Sequence, residues 1–248
     1  MQNPVDIRIF ESIREFEQKS AEEIVHLMQG AIRDRGVCRV VLSGGETPKG
    51  IYRLLGADPL RHLLDWSRVS VFFSDERCVS PDDSQSNFGM AERALTSHVG
   101  IAPHNIHRIC AEISPPKAAI EYEKVLRTIF SPGPPRFDVM LLGIGSDGHT
   151  ASLFPSTDAV REENRWVCEV YVPHLNAWRV TLTFPVINCG RTVFILATGE
   201  SKAPMIERAL RAHAPTRDLP ITLVRPVEGA LCWRLDKQAA SRLSASDG

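Results

Sequence analysis

Val37-Cys38-Arg39-Val40-Val41-Leu42-Ser43-Gly44-Gly45-Glu46-Thr47-Pro48-Lys49-Gly50-Ile51-Tyr52-Arg53-Leu54-Leu55 is the stretch that decides the fold. Val37–Leu42 is a nearly continuous apolar run, as a strand covered on both faces requires. Ser43–Pro48 is a turn carrying two glycines. Thr47–Leu55 then changes to helical spacing, with Thr47 suited to cap the helix and Pro48 to its first turn. Strand, tight turn and helix make the repeating half of a parallel sheet.

The alternation continues in both directions. Toward the N-terminus, Val5–Phe10 reads as a strand. Ile24, Val25, Met28, Ala31 and Ile32 recur at helical spacing, and Gly36 supplies a stop. Toward the C-terminus, the spacing predicts strands over Val69–Phe73, Phe137–Leu142, Trp166–Val172, Arg179–Phe184, Thr192–Ala197 and Leu231–Leu235. Helices are predicted near Phe88–Leu95 and over Ala118–Phe130 and Lys202–Ala212. The pattern predicts an α/β fold with a mainly parallel sheet and helices on both faces. Ser131–Pro135 is short enough to be an ordinary connection. Residues 1–248 are therefore expected to form one domain, with a polar tail from about 237 to 248 that frays.

Lys plus Arg total 29 and Asp plus Glu total 30, for a formal net charge of -1. That balance gives no reason to expect nucleic acid or an anionic membrane as partner, so an anionic ligand needs a local positive site. The six cysteines are scattered without a C-x-x-C pair, which favours a reducing compartment over a disulfide framework. No long apolar run marks the first twenty residues, and Val139–Ile144 is too short to span a bilayer. A cytoplasmic protein, monomeric or a small homo-oligomer, is expected.

In open α/β sheets ligands bind beyond the carboxyl ends of the strands, so the residues that follow each strand matter most. Ser43-Gly44-Gly45-Glu46-Thr47-Pro48 offers backbone N–H groups at a helix N-terminus, though it is not a Walker A loop. Read alone, it is equally an ordinary turn. Asp75-Glu76-Arg77, with Ser86-Asn87 downstream, reads alone as an exposed turn, or as a carboxylate and a guanidinium facing one crevice. Gly143-Ile144-Gly145-Ser146-Asp147-Gly148-His149 satisfies G-x-G-x-x-G, but it lies past mid-chain and Pro155 limits any helix after it. A dinucleotide site fails on that context. A serine-hydrolase elbow fails because Ile144 stands where G-x-S-x-G needs glycine. What remains is Asp147 and His149 displayed on a glycine-rich strand exit. Arg179 and Lys202, each beside a strand end or helix start, are candidate cations for phosphate.

In this order and spacing, S-G-G-x-T-P, D-E-R with its later S-N, and G-x-G-x-D-G-H-T-A-S-L-F-P resemble the 6-phosphogluconolactonase family. Arg179-Val180-Thr181-Leu182-Thr183 and Gly199-Glu200-Ser201-Lys202 fit it too, so the likeness runs from about Val5 to Trp233. The resemblance implies a Rossmann-like three-layer α/β/α sandwich and hydrolysis of a phosphorylated sugar lactone in the oxidative pentose phosphate pathway. Glucosamine-6-phosphate deaminases share the first motif and the G-x-G-x-D-G-H core, but carry a catalytic Glu five residues after the His. Phe154 stands there in this chain, and a phenyl ring carries no proton. A sugar-phosphate sensor is the non-catalytic alternative, but Asp75, Asp147 and His149 are all present.

On this reading Gly44, Gly45, Thr47, Arg179 and Lys202 hold the phosphate. His149 is the general base, oriented by Asp147 or Asp75. Arg77 or a backbone N–H stabilises the oxyanion. Hydrolysis of an ester by this route needs no metal and no cofactor, and none is expected; His104 and His107 lack an acidic or Cys partner.

Overall fold

The structure, a computed structural model, describes residues 5–243. In chain order, β1 (Asp6–Phe10), α1 (Ile13–Arg35), β2 (Cys38–Leu42), α2 (Glu46–Leu55), β3 (Val69–Phe73), β4 (Asp75–Arg77) and α3 (Asn87–Ala94) form the first part. β5 (Ile106–His107), α4 (Pro115–Phe130), β6 (Val139–Gly143), β7 (Val167–Val172) and β8 (Ala177–Leu182) follow. α5 (Phe184–Ile187), β9 (Thr192–Ala197), α6 (Ala203–Leu210) and β10 (Ala230–Asp236) complete the set.

Seven of these strands build one sheet in the order β1-β10-β9-β6-β2-β3-β5, every adjacent pair parallel. The apolar runs explain the order. β9 and β6 are buried almost end to end, so they take central places, whereas Arg8 and Ile9 of β1 are exposed at an edge. The chain steps outward from β2 to β3 and β5, then returns to insert β6 on the other side of β2. The boundary between β2 and β6 is thus the switch point at which such sheets open a crevice.

Two sequence expectations need correction. Trp166–Val172 and Arg179–Phe184 do not extend the parallel sheet. β7 and β8 form an antiparallel hairpin, and β4 pairs with β8 to make a separate three-stranded sheet. Phe184 belongs to the following helical turn. Strand spacing reveals a strand but not its partner, and the link between β7 and β8 is far too short for a parallel crossover. Second, Thr47 does not cap α2. Gly45 is the N-cap, with φ 108° and no side-chain cap bond, and Thr47 lies within the first turn.

Local signals elsewhere act as read. Ser12 accepts the N–H of Glu15 at the start of α1. Gly36 closes it in a left-handed conformation (φ 78°), donating its N–H to Ile32. The tail is better held than its composition suggests. Lys237 donates its N–H to Phe10, and Ala239 and Ala240 are buried. Residues 244–248 of the expected fraying tail lie outside the described residues. Among the described residues, no helix is long and apolar enough to cross a membrane.

The edge strand is clasped by a buried charge cluster. Arg234 of β10 is fully buried. Its guanidinium donates to both Glu23 carboxylate oxygens (2.8 and 2.6 Å) and to Asp6 Oδ2 (2.6 Å). It thereby joins α1, β1 and β10. Removing Glu23 deprives a fully buried cation of its bidentate partner while Asp6 remains, so Glu23→Ala should cost about 1.5–3 kcal/mol in urea unfolding. Arg234→Met should cost less, because the two carboxylates it frees are 21% and 45% exposed and water reaches them. The reverse order would remove the clasp from the account of stability.

Candidate active site

The carboxyl ends of β9, β6, β2 and β3, neighbours in the sheet, open into a cleft of about 270 Å³. Seven of the nine residues singled out from sequence line it: Gly44, Gly45, Asp75, Arg77, His149, Arg179 and Lys202. Asp147 stands behind the wall and reaches it through His149. Thr47 does not line it; its hydroxyl lies 2.9 Å from that of Thr198, beyond β9.

His149 Nδ1 lies 2.5 Å from Asp147 Oδ1. A carboxylate at that distance selects the tautomer with hydrogen on Nδ1 and leaves Nε2 with a free lone pair. Burial pushes the Asp147 carboxyl up, but the hydrogen bonds and charge of His149 outweigh it and hold the group down at about 2. Asp147 therefore stays ionised at neutral pH. The loop is stitched in place: Gly145 N–H donates to the His149 carbonyl at 2.8 Å, and Ile221 N–H to the Gly148 carbonyl at 2.9 Å. No helix follows the glycine motif, so the dinucleotide geometry is absent here. Gly145 is required by space: a Cβ there would sit 2.1 Å from His149 Nδ1 and 2.7 Å from Asp147 Oδ1.

The opposite wall comes from the small sheet. Arg77 of β4 faces Arg179 of β8 directly across the antiparallel pair. Like charges at facing positions repel, so this arrangement gains stability once an anion lies between or above them. Burial lowers the Arg179 guanidinium, Asp75 offsets part of that, and Arg77 adds to it. Lys202 is likewise lowered by burial, against the pull of Asp147. It is the residue before α6, and its side chain lines the cleft. Neither Gly44 nor Gly45 donates its N–H to another described residue.

Asp75 does not touch His149. Its carboxylate accepts from Ser152 Oγ at 2.6 Å and Ser74 Oγ at 2.9 Å, and its charge acts on Arg179. Of the two orienting acids considered from sequence, only Asp147 makes the contact. The D-E-R segment is no exposed turn either, since Asp75 and Glu76 are both buried.

Several residues were not read as site residues from sequence. Glu76 accepts the N–H groups of Arg77, Asn87 and Phe88 and the Ser86 hydroxyl, and so holds α3 against β4. Asn87 lines the cleft; its Nδ2 is tied to the Asp75 carbonyl, so its Oδ1 is turned toward Gly44 without a partner. Six buried side-chain polar atoms lack a hydrogen-bond partner among the described residues. Four of them, Ser43 Oγ, Arg77 Nε, Asn87 Oδ1 and Arg179 Nε, belong to residues of this cleft. Such atoms are costly when left unpaired, and their clustering marks a place built for a polar ligand. The S-N pair after D-E-R was visible in the sequence, but nothing there showed that it folds back onto Gly44.

Gly145→Ala should leave the protein folded, with a melting temperature close to the parent, and lower turnover about a hundredfold by displacing the imidazole. A variant with parental turnover would show that the His149 seat tolerates a shift, contrary to the packing described.

The sequence profile of the family described as glucosamine-6-phosphate isomerases/6-phosphogluconolactonase matches residues 11–233. A protein named probable 6-phosphogluconolactonase 1 from Arabidopsis thaliana is 36% identical, over 96% of this chain and 93% of its own length. The solved 6-phosphogluconolactonase from Trypanosoma cruzi superimposes with a TM-score of 0.87 at 31% identity, covering 99% of each chain. A solved monomeric glucosamine-6-phosphate deaminase has a TM-score of 0.80 at 19% identity, covering 96% of this chain and 99% of that one, and so shares the fold. The profile match spans all four strand ends of the cleft, and by it this chain belongs to the glucosamine-6-phosphate isomerase/6-phosphogluconolactonase family.

Proposed function

We propose that this chain hydrolyses 6-phospho-D-glucono-1,5-lactone to 6-phospho-D-gluconate, a step of the oxidative pentose phosphate pathway. The observation that carries the reading is the pairing, in one cleft, of an Asp147-oriented imidazole with a wall of cations lacking carboxylate partners in the cleft. The near-full-length relatives named for this activity support it. Phe154, where a deaminase would need an acid, supports hydrolysis over isomerising deamination.

The phosphate binds to Arg179 and Lys202, with the unpaired N–H groups of Gly44 and Gly45 assisting. Thr47 is not assigned a direct contact, since its hydroxyl is engaged with Thr198. Anchoring the remote phosphate converts binding energy into placement of the lactone carbon. Asn87 Oδ1 is an acceptor only. Its natural partner is therefore a sugar hydroxyl, not a phosphate oxygen or the lactone carbonyl.

His149 Nε2 takes a proton from water, which adds to C1. The carbonyl electrons move to oxygen, and the resulting oxyanion is stabilised by Arg77 or a glycine-loop N–H. As the tetrahedral centre collapses, the bond from C1 to the ring oxygen breaks. The imidazolium returns its proton to that oxygen, giving the hydroxy acid. Asp147 accepts from Nδ1–H and so holds the imidazole in place with Nε2 free to act. Asp75, fixed by two hydroxyls, helps to keep Arg179 charged.

The activity is tested with freshly generated 6-phosphogluconolactone, coupled to excess 6-phosphogluconate dehydrogenase and compared with spontaneous hydrolysis. Wild type should exceed background by a large factor and His149→Ala should lose about 10²–10⁴ of it. A folded wild type at background rate would sink the reading. Arg179→Ala should weaken phosphorylated ligands specifically; equal loss on a non-phosphorylated lactone would remove its anchoring role. Because burial lowers Lys202, 6-phosphogluconate binding followed by calorimetry should begin to weaken on the alkaline side below the ordinary lysine range near ~10.4. The sign follows from loss of a cation on deprotonation. In Lys202→Arg that alkaline weakening should vanish; its persistence would assign the titration to another group.

A further inference from the structure

Phe154 is buried, lies outside the cleft wall, and takes no part in the chemistry described above. Its ring nevertheless touches three polar rings or forks. The His149 imidazole lies 4.0 Å away, centroid to centroid, at an interplanar angle of 31°. The Arg179 guanidinium carbon lies 5.5 Å from the same centroid. His174, in the turn between β7 and β8, meets the ring edge-on at 5.7 Å and 68°.

These contacts supply what the hydrogen bonds leave open. Asp147 fixes one nitrogen of His149, but a single in-plane bond lets the ring pivot about it. A flat surface against the imidazole face removes that freedom. Arg179 Nε has no hydrogen-bond partner, so the phenyl face is a principal support for its guanidinium in the ligand-free protein. The electron-rich face of a phenyl ring also favours cations, which suits a guanidinium and an imidazole that becomes imidazolium during the reaction. The Phe154 backbone is tied into its own turn, its carbonyl accepting from the Thr157 hydroxyl at 2.7 Å.

We propose that Phe154 is a positioning residue, the shared backing on which the proton-abstracting imidazole and the phosphate-holding guanidinium are both seated, so that their separation matches one substrate. The inference rests on the lactonase reading for its kinetic arm and on geometry alone for its spectroscopic arm. The charged and titratable groups facing His149 in this assembly are Asp147 at its Nδ1, Arg179 and His174 across the phenyl ring, and Asp75, Arg77 and Lys202 across the cleft.

Phe154→Leu keeps the apolar volume and removes the flat face; Phe154→Tyr keeps the face. In Phe154→Leu, kcat should fall about ten- to a hundredfold and 6-phosphogluconate should bind about three- to tenfold more weakly. Phe154→Tyr should restore both. In NMR, relaxation of the His149 Cε1–H should report a more mobile imidazole in Phe154→Leu and parental order in Phe154→Tyr. A purely structural role would lower the melting temperature but leave ligand affinity and the His149 ring mobility of the folded fraction at parental values, and that result would overturn the proposal. If wild type proved inert on the lactone, the function would fall. The His149 ring mobility and the binding of inorganic phosphate in Phe154→Leu would still decide the seat: unchanged values would refute it, and altered values would uphold it.

Discussion

The bond between Asp147 Oδ1 and His149 Nδ1 sets the terms for everything around it. It fixes the tautomer, and so determines which nitrogen faces the cleft. It requires the two side chains to fold back over Gly145, where no side chain fits. That in turn dictates a loop with no helix behind it, held from outside by Ile221 and by the Thr150 hydroxyl on the Gly143 carbonyl. A loop of this kind is stable only at the mouth of a rigid strand. β6, buried along its length between β2 and β9, provides one.

The second half of the site obeys a different constraint. Two guanidiniums on facing β-positions are electrostatically unfavourable, and burial makes Arg179 harder to keep charged. The fold accepts this at a place where Asp75 is close enough to help Arg179 and remains engaged with Ser152 and Ser74, leaving the cations unneutralised. Charge of this kind is held ready for a ligand, and its stabilisation is deferred until the ligand arrives.

Much of this was legible in the sequence, because parallel strands buried on both faces announce themselves as apolar runs and ligands gather where such runs end. The positions of Gly44, His149 and Lys202 followed from that rule alone. Strand pairing did not follow. β7 and β8 each carry a charged residue mid-strand, Glu169 and Arg179, where β9 is apolar from Val193 onward; that interruption and the brevity of the turn between them were the only hints that they pair with each other. The part played by Asp75 was read too broadly for a related reason: a buried carboxylate two residues from an arginine could serve either wall, and one of its hydroxyl partners, Ser152, comes from a segment far along the chain. Asn87 and Phe154 escaped because an amide and a phenyl carry no chemistry by themselves. Their meaning lies in what three-dimensional packing sets beside them.

The antiparallel pairing of β4 with β8 has a consequence for the making of the protein. Arg77 leaves the ribosome with its half of the anion wall, yet the strand that carries Arg179 is synthesised roughly a hundred residues later. Until β8 arrives, β4 has no partner, Glu76 has only α3 to fasten to, and the nascent chain cannot grip a phosphate. Competence to bind therefore comes late and all at once, so an incomplete chain released before β8 would neither compete for the sugar phosphate nor be protected by it.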